Sequence, residues 1–300
     1  MVRPRFQWRL RTRALPLGER TLVMGVVNVT PDSFSDGGRF LDRDAAVEHA
    51  LRLLDEGADI LDIGGESTRP GARVAEQGRV SEAEELQRVL PVIEGVLRAR
   101  PDAVISVDTY KSGMARRAIN AGAEIVNDVS AGRWDALMLP TLADLGCGAV
   151  LMHMRGRPEE WRALPPAGDI AALVQRELAQ FAAAAEKAGV ARERVVLDPG
   201  FGFGKNFDEN YPLLASLREL HALGYPLLAG TSRKGFIGRT LARESKDQPP
   251  PERLYGTLAT VTACVLQGAH IVRVHDVHAA KDAVRVADAI LRAEEKTSAT

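Results

Sequence analysis

Eight short apolar runs that end in polar or charged side chains recur along the chain, and this pattern constrains the fold more than any other feature. VMGVVN ends at Asn28, VISVD ends at Asp108 and IVND carries Asn127, whereas later runs deliver Asp198 and Arg273. Parallel strands with polar residues at their carboxyl ends are typical of a barrel whose site lies at one rim. The pattern therefore predicts an α/β chain folded as a (β/α)8 TIM barrel.

Apolar runs alternate with segments that have helical periodicity, as expected for a parallel sheet. The predicted strands are 22–28, 59–64, 103–108, 124–128, 148–153, 194–198, 226–231 and 269–275. The predicted helices are 43–56, 82–99, 111–121, 134–145, 169–188, 209–223, 252–267 and 279–294. Eight such units predict a closed sheet.

The 300 residues are enough for one barrel domain of about 250 residues with short extensions. We interpret 1–300 as a single domain, with a hairpin extension at 1–21, the barrel at 22–290 and a frayed tail at 291–300. Phe6, Trp8 and Leu10 alternate with polar residues before a Pro-Leu-Gly turn. This alternation predicts a short N-terminal β-hairpin that plugs the bottom of the barrel.

Bulk properties exclude several classes of protein. A net charge of −1 gives no overall basic character for nucleic acid, and no run of eighteen apolar residues exists to span a membrane. The two cysteines, Cys147 and Cys264, make a disulfide framework or a cysteine-based zinc site improbable. We therefore expect a cytoplasmic protein that binds neither nucleic acid nor membranes, with buried structural thiols.

Three polar residues at strand ends, Asp108, Asn127 and Asp198, are predicted to face the barrel mouth. Carboxylates and an amide accept and donate hydrogen bonds in the pattern that a 2-amino-4-oxo pyrimidine ring presents. Met152 is placed to pack against such a ring, and Phe203 supplies an aromatic face. The alternative for each polar residue is a satisfied strand-end cap, which is less favoured for three residues on one rim.

The DPGFGFGK segment is not a phosphate-binding P-loop, because Pro199 stands where that motif requires glycine. We interpret its glycines as positions where the backbone approaches a flat ligand closely, the alternative being simple loop flexibility. Lys205 lies on this loop and is a weaker candidate for the site than Lys234, which follows the seventh strand in Ser-Arg-Lys.

Cationic side chains on the same rim favour a phosphate or diphosphate ligand. Arg69, Arg273 and His275 are placed to bind it together with Asn28, and Asn28 could hold a magnesium ion against it. Surface salt bridges are the alternative for the arginines. A barrel commonly binds anions after the seventh strand, where Ser232 and Lys234 lie.

These motifs closely resemble those of the dihydropteroate synthase family, over about residues 22 to 290. The resemblance is carried by MGVVNVTPDSFSDGG (24–38), DIGGESTRPGA (62–72), SVDTYK (106–111), VNDVSAG (126–132), LMHMRG (151–156), LDPGFGFGK (197–205), GTSRKGFIG (230–238) and RVHDV (273–277). It implies a barrel transferase of folate synthesis that joins 6-hydroxymethyl-7,8-dihydropterin diphosphate to 4-aminobenzoate.

The resemblance also implies a role for each matching residue. The implied pterin residues are Asp108, Asn127, Met152, Asp198 and Lys234, and the implied 4-aminobenzoate residues are Thr68, Arg69, Phe203, Ser232, Pro31, Phe34 and Ser35. The implied diphosphate residues are Asn28, Arg69, Arg273 and His275, with Asn28 also on Mg²⁺. Asp108, Lys234 and Arg273 are the catalytic candidates.

The chemistry predicts that diphosphate leaves first, as in an SN1-like reaction, so that the pterin methylene becomes positively charged beside Asp108 and Asp198. Two alternatives stay open on the sequence: a methyltetrahydrofolate:corrinoid methyltransferase-like barrel and a non-catalytic paralogue. The family further implies a homodimer, with the apolar helix at 252–267 as a candidate interface, and inhibition by sulfonamides.

Overall fold

A parallel eight-stranded sheet forms the centre of the molecule in the computed structural model, which describes residues 3–30, 39–66 and 80–298. The strands are β3 (Leu22–Asn28), β4 (Ile60–Gly64), β5 (Ile105–Asp108), β6 (Ile125–Asp128), β7 (Gly148–Met152), β8 (Val195–Asp198), β9 (Leu228–Ala229) and β10 (Ile271–Val274). They are ordered β8-β7-β6-β5-β4-β3-β10-β9, and a parallel bridge between Leu197 and Leu227 joins the two edges. The predicted (β/α)8 barrel is confirmed.

Helices surround the strands as the periodicity predicts. They are α1 (Arg39–Asp55), α2 (Glu82–Ala99), α3 (Ser112–Asn120), α4 (Met138–Leu145), α5 (Ile170–Lys187), α6 (Asn210–Ala215), α7 (Gly235–Thr240), α8 (Leu254–Leu266) and α9 (Val277–Ser298). The predicted helix 209–223 is in fact α6 followed by a 3₁₀ helix over Leu217–Leu223, because Ser216 adopts φ −95° and ψ 8°, outside the α-helical region. The short helix α7 was not predicted.

The N-terminal segment forms the predicted hairpin, with β1 (Phe6–Arg9) antiparallel to β2 (Ala14–Leu17). Trp8, Leu10 and Leu17 pack against inward-facing residues near the amino ends of the barrel strands. Trp8 is fully buried, and its indole N–H donates to the Arg194 carbonyl oxygen at 2.8 Å. The hairpin therefore closes the end of the barrel opposite the candidate site and completes the lower layer of the interior core.

Residues before the hairpin are tied to the last part of the chain. The buried Arg3 guanidinium contacts the Asp288 carboxylate at 3.2 Å, the Thr21 hydroxyl at 2.6 Å and the Ala269 carbonyl oxygen at 3.1 Å. Asp288 lies on α9, which continues to Ser298, so the predicted frayed tail is helical as far as that residue. Both ends of the chain thus contribute to the same closed end of the barrel.

The buried ring of His270 reinforces this attachment. Its Nδ1 accepts from the Leu227 backbone N–H at 3.0 Å, and its Nε2–H donates to the Pro4 carbonyl oxygen at 2.9 Å. This bonding fixes the neutral tautomer, and burial lowers the pKa of His270 to about 3. Within the described residues, no helix is both long enough and apolar enough to cross a bilayer.

Candidate active site

Strand register places several of the predicted site residues side by side at the carboxyl rim. Asn28 is the register partner of Gly64, which pairs with Asp108, and Asp108 pairs with Asn127. Parallel strands held in register direct paired side chains to the same face of the sheet. The face that these paired residues share is the one that lines the barrel interior, as the sequence pattern predicts.

A cleft opens at this rim. Its lining includes seven residues named as candidates from the sequence, namely Asp108, Asn127, Met152, Asp198, Phe203, Lys234 and Arg273. All five predicted pterin residues are therefore brought together around one space, with carboxylates, an amide and cations on its polar wall. Met152 and Phe203 supply apolar surface.

Arg273 is engaged by two carboxylates on the floor of this cleft. Its Nε donates to Asp62 Oδ2 at 2.6 Å, and its Nη2 donates to Asp108 Oδ2 at 2.7 Å. Asn127 Nδ2 also donates to Asp62 Oδ2, at 2.9 Å. A guanidinium has five N–H donors, so Arg273 can hold both carboxylates and still offer Nη1 to an anionic ligand.

Asp62 was missed as a site residue by the sequence reasoning. It lies inside β4, where every residue of Ile-Leu-Asp-Ile-Gly is buried, and its own exposed fraction is 0%. A charged residue within a fully apolar strand must have buried partners, and this requirement was the available signal.

Burial changes the acidity of the two cleft carboxylates. Desolvation raises the pKa of Asp108 to about 7 although Arg273 opposes the shift, and the nearby Asp62 carboxylate raises it further. Desolvation likewise raises the pKa of Asp198 to about 6, against the Gly200 N–H bond and the Lys234 charge. Both carboxylates consequently titrate close to neutral pH, where a ligand that donates hydrogen bonds to them would favour the ionised forms.

The glycine-rich loop after β8 packs tightly against another part of the protein. A Cβ on Gly200 would lie 1.9 Å from the His153 carbonyl oxygen, and one on Gly204 would lie 2.2 Å from the Arg155 carbonyl oxygen. Both glycines have positive φ, 64° and 63°. At both positions the close neighbour is the chain after β7, and Gly200 also lines the cleft, so close approach of these glycines to a flat ligand stays a prediction.

Lys205 supports this loop from within. Its buried Nζ contacts His153 Nδ1 at 2.9 Å, the Gly200 carbonyl oxygen at 2.8 Å and the Phe203 carbonyl oxygen at 3.3 Å. Burial lowers its pKa to about 7, and burial with the Lys205 charge lowers the pKa of His153 to about 4. Lys205 is thus a structural anchor for the Phe203 loop, a role the sequence did not indicate.

The Phe203 ring lies beside Lys234, whose Nζ is 3.8 Å from the ring centroid. This distance is within the range of a cation–π interaction. Trp161 also packs against the Phe203 ring in a T-shaped arrangement, with centroids 5.7 Å apart. The aromatic wall of the cleft is therefore held in place by a cation and a second aromatic residue.

Ser232 and His275 are brought together from the loops after β9 and β10. Ser232 Oγ lies 2.9 Å from His275 Nδ1 and accepts from the His275 backbone N–H at 3.2 Å. Arg233, with a positive φ of 57°, binds both oxygens of Asp276 at 2.9 and 2.5 Å. These bonds join the segments that carry Lys234 and Arg273.

Five predicted residues lie outside the described residues, namely Pro31, Phe34, Ser35, Thr68 and Arg69. Asn28, the candidate metal ligand, lies at the end of β3 on the rim. Within residues 3–30, 39–66 and 80–298, no group of three His, Cys, Asp or Glu side chains is arranged to hold a metal ion.

Comparisons with known proteins agree with this arrangement. The model of a family described as pterin binding enzyme matches residues 24–275. Dihydropteroate synthase of Escherichia coli (strain K12) is 46% identical over 273 residues, covering 91% of this chain and 93% of that relative. The chain belongs to the dihydropteroate synthase family. The family, the function and the enzyme class predicted from the sequence are thereby confirmed.

Solved structures of dihydropteroate synthases share the fold over nearly the whole chain. The Xanthomonas albilineans enzyme with 4-aminobenzoic acid is 46% identical with a TM-score of 0.85, covering 96% of this chain and 98% of that one. The Yersinia pestis enzyme in a sulfonamide drug complex is 42% identical with a TM-score of 0.85, covering 95% and 99%. Members of the dihydropteroate synthase family therefore bind small aromatic ligands on this scaffold.

Proposed function

We propose that the cleft joins 6-hydroxymethyl-7,8-dihydropterin diphosphate to 4-aminobenzoate, giving 7,8-dihydropteroate and diphosphate. The observation that carries this proposal is the convergence of Asp108, Asn127, Asp198 and Lys234 on one cleft beside Met152 and Phe203. The carboxylates accept from the amino and ring N–H groups of a pterin, and Lys234 donates to its oxygen or nitrogen acceptors.

The reaction begins with loss of diphosphate. The bond between the methylene carbon and the diphosphate oxygen breaks, and both electrons leave with the oxygen. Positive charge develops on the methylene and is delocalised into the pterin ring, next to Asp108 and Asp198. Preorganised carboxylates in a buried site stabilise such a charge without rearranging, which lowers the barrier.

The amino nitrogen of 4-aminobenzoate then forms the new C–N bond. An arylamine is neutral at neutral pH, so its lone pair is available without a general base. The nitrogen loses one proton after attack, and solvent or diphosphate takes it. Phe203 and Ser232, with the predicted Thr68, are the residues we assign to this substrate.

Arg273 and His275, with the predicted Arg69, are assigned to the diphosphate. Arg273 offers Nη1 after binding Asp62 and Asp108, and the Ser232 bond orients the His275 ring. Cations at this position stabilise the charge that develops on the leaving group.

The described residues fit a magnesium ion only if the substrate supplies most of its ligands. Asn28 offers one amide oxygen at the rim, and Mg²⁺ commonly binds through few protein oxygens together with substrate phosphates and water. We propose that Asn28 holds Mg²⁺ in this way. When bound, the ion neutralises charge on the diphosphate and aids its departure.

We also propose that the protein is a homodimer whose interface includes α8 and α9. These helices pack together and expose Tyr255, Val286 and Ile290, with exposed fractions of 84%, 62% and 42%. Large exposed apolar side chains on two helices that pack together support this proposal, because exposed apolar surface often marks an interface. The cytoplasmic location predicted from the sequence stays a prediction.

The deciding experiment measures diphosphate release and dihydropteroate formation by purified protein, omitting one component at a time. We expect release to require the pterin diphosphate, Mg²⁺ and 4-aminobenzoate, and sulfonamides to compete with 4-aminobenzoate. Pterin binding without release would instead favour a methyltransferase-like barrel or a non-catalytic paralogue. Absence of pterin binding would refute the assignment of the cleft.

A further inference from the structure

We infer that Asp62 is a positioning residue that sets which hydrogen-bonding groups Asn127 and Arg273 present to the pterin and its diphosphate. This inference deepens the proposed function and rests on it. Asp62 is fully buried beneath the cleft and does not itself line it. It therefore acts through the two residues that it holds.

Asp62 fixes the orientation of the Asn127 side chain. A carboxylate only accepts hydrogen bonds, so the amide group that faces Asp62 Oδ2 at 2.9 Å must be the Nδ2 donor. With Nδ2 turned toward Asp62, Oδ1 becomes the atom that Asn127 presents to the cleft. An Asn side chain can otherwise rotate its amide and exchange donor for acceptor, so Asp62 removes that ambiguity.

Asp62 also fixes the orientation of the Arg273 guanidinium. One oxygen of Asp62 receives the Arg273 Nε–H at 2.6 Å as well as the Asn127 amide. This contact fixes the guanidinium plane and directs Nη2 to Asp108 at 2.7 Å. Charge-assisted bonds to Arg are strongly directional, so the position of Nη1 toward a bound anion follows from the Asp62 contact.

The orientation of Asn127 and Arg273 decides which ligand the cleft selects. With Asp62 in place, Asp108, Asn127 Oδ1 and Asp198 are three acceptors on one wall of the cleft. Such a wall selects a ring with several N–H donors and rejects one that offers acceptors, because an unpaired buried polar group is costly. Asp62 is in this sense a specificity-determining residue that does not touch the substrate.

Asp62→Asn tests the inference with minimal change in volume. An asparagine at 62 can donate its own amide to Asn127 Oδ1, which lets Asn127 turn its donor toward the cleft. We expect Asp62→Asn to weaken 6-hydroxymethylpterin binding about tenfold or more in calorimetry, because hydrogen bonds to charged groups contribute more than those between neutral groups. In steady-state kinetics, KM for the pterin diphosphate should rise, whereas KM for 4-aminobenzoate should stay within about twofold.

Ser106 provides a matched control. It is the register partner of Asp62 on the neighbouring strand and is equally buried, and its Oγ has no hydrogen-bond partner among the described residues. Ser106→Ala should therefore retain pterin affinity within about threefold. A similar loss in both variants would mean that any polar change in this layer disturbs the cleft, and it would overturn the specific role of Asp62.

A double-mutant cycle with Asn127→Ala separates positioning from general destabilisation. If Asp62 acts through Asn127, its substitution should cost much less pterin affinity on the Asn127→Ala background than alone. Additive losses would overturn the inference. Wild-type protein that fails to bind pterin would refute the proposed function, whereas wild-type binding that survives Asp62→Asn unchanged would refute only the role of Asp62.

NMR of the Asn127 side-chain amide tests the contact with Asp62 without any Asp62 variant. The side-chain amide of Asn127 gives a ¹H–¹⁵N NMR pair that is assigned by its loss in Asn127→Ala. We expect its protons to be protected from solvent exchange in the ligand-free protein, because Nδ2 is bonded to a buried carboxylate. Rapid exchange would show that Asp62 does not hold this group.

Discussion

The chemistry proposed for the cleft depends mostly on a few individual carboxylates. Asp108 and Asp198 were predicted from their places at strand ends, because a strand end is a local feature of the sequence. Their partners were not predictable, since Arg273 meets Asp62 and Asp108 across 211 and 165 residues of chain. Only closure of the barrel brings these groups together. The role of Lys205 was not predicted for the same reason, because its partner His153 follows β7 whereas Lys205 lies on the loop after β8.

Asp198 should make pterin binding dependent on pH. Its pKa is raised to about 6, so it is largely protonated below that pH and ionised above it. A pterin that donates to the carboxylate binds the ionised form better, so affinity should fall as pH is lowered through about 6, and binding near that pH should release protons. Calorimetry in buffers of different ionisation enthalpy measures this release. Asp198→Asn should abolish the contribution of this residue and weaken binding about tenfold or more.

Arg273 should affect the anion more than the arylamine. Arg273→Lys keeps one positive charge but cannot bind Asp62 and Asp108 while still presenting a planar donor to diphosphate. We expect diphosphate affinity to fall about tenfold, with KM for 4-aminobenzoate changed less than about threefold. Arg273→Ala is a poorer test, because it leaves two buried carboxylates without their cation. The opposite ranking of the two losses would contradict the diphosphate assignment.

Whole elements were predicted better than their ends. The strands β3 to β8 and β10 follow from apolar runs whose length suits a buried parallel sheet. The segment 209–223 has helical periodicity throughout, yet it is interrupted at Ser216, and periodicity alone does not report such a change of backbone angle. The hairpin was predicted from alternation, and the alternating Trp8 and Leu10 are the residues that fill the barrel end.

His270 should make the attachment of the hairpin segment sensitive to acid. Its folded pKa of about 3 lies below the ordinary value of 6.5, so the unfolded chain binds an extra proton between these values. Stability from this group is therefore present above about pH 6.5 and is lost as pH falls toward 3, by about 2 kcal/mol at about pH 5.

Chemical denaturation at about pH 7 and pH 5 tests this dependence. His270→Gln should reduce the loss of unfolding free energy between the two pH values, even if it lowers stability at both. The exposed His278 is the matched control, and His278→Gln should leave the loss unchanged. Equal pH dependence in wild type and His270→Gln would contradict the prediction.

At the scale of the whole molecule, the two ends of the barrel hold different kinds of residues. The carboxyl end holds the cleft, with acidic side chains whose pKa values are raised by burial, while the amino end is filled by the hairpin and an apolar layer and is tied together by the buried Arg3 and His270. Sequence alone supports this division, because polar residues follow the strands and apolar residues begin them. The sequence does not define the quaternary structure, because an apolar helix face has the same residue pattern whether it is exposed or buried.

Tyr255 should decide the oligomeric state if α8 and α9 form the dimer interface. Tyr255→Glu places a charge at the most exposed apolar residue of this surface and should shift the protein from dimer to monomer in analytical ultracentrifugation. Leu137, exposed at 65% on another part of the surface, is the matched control, and Leu137→Glu should leave the mass unchanged. A wild-type monomer at micromolar concentration would refute the proposed interface.

The attachment of Arg3 to Asp288 and Ala269 has a consequence for how the protein is made. A ribosome synthesises the hairpin before the barrel, but the residues that anchor the segment preceding the hairpin come just before β10 and on α9. Domains fold largely as units during synthesis, and contacts of long sequence separation form late. The segment before the hairpin therefore stays without its anchors until α9 has been synthesised, and this end of the barrel can close only after that point.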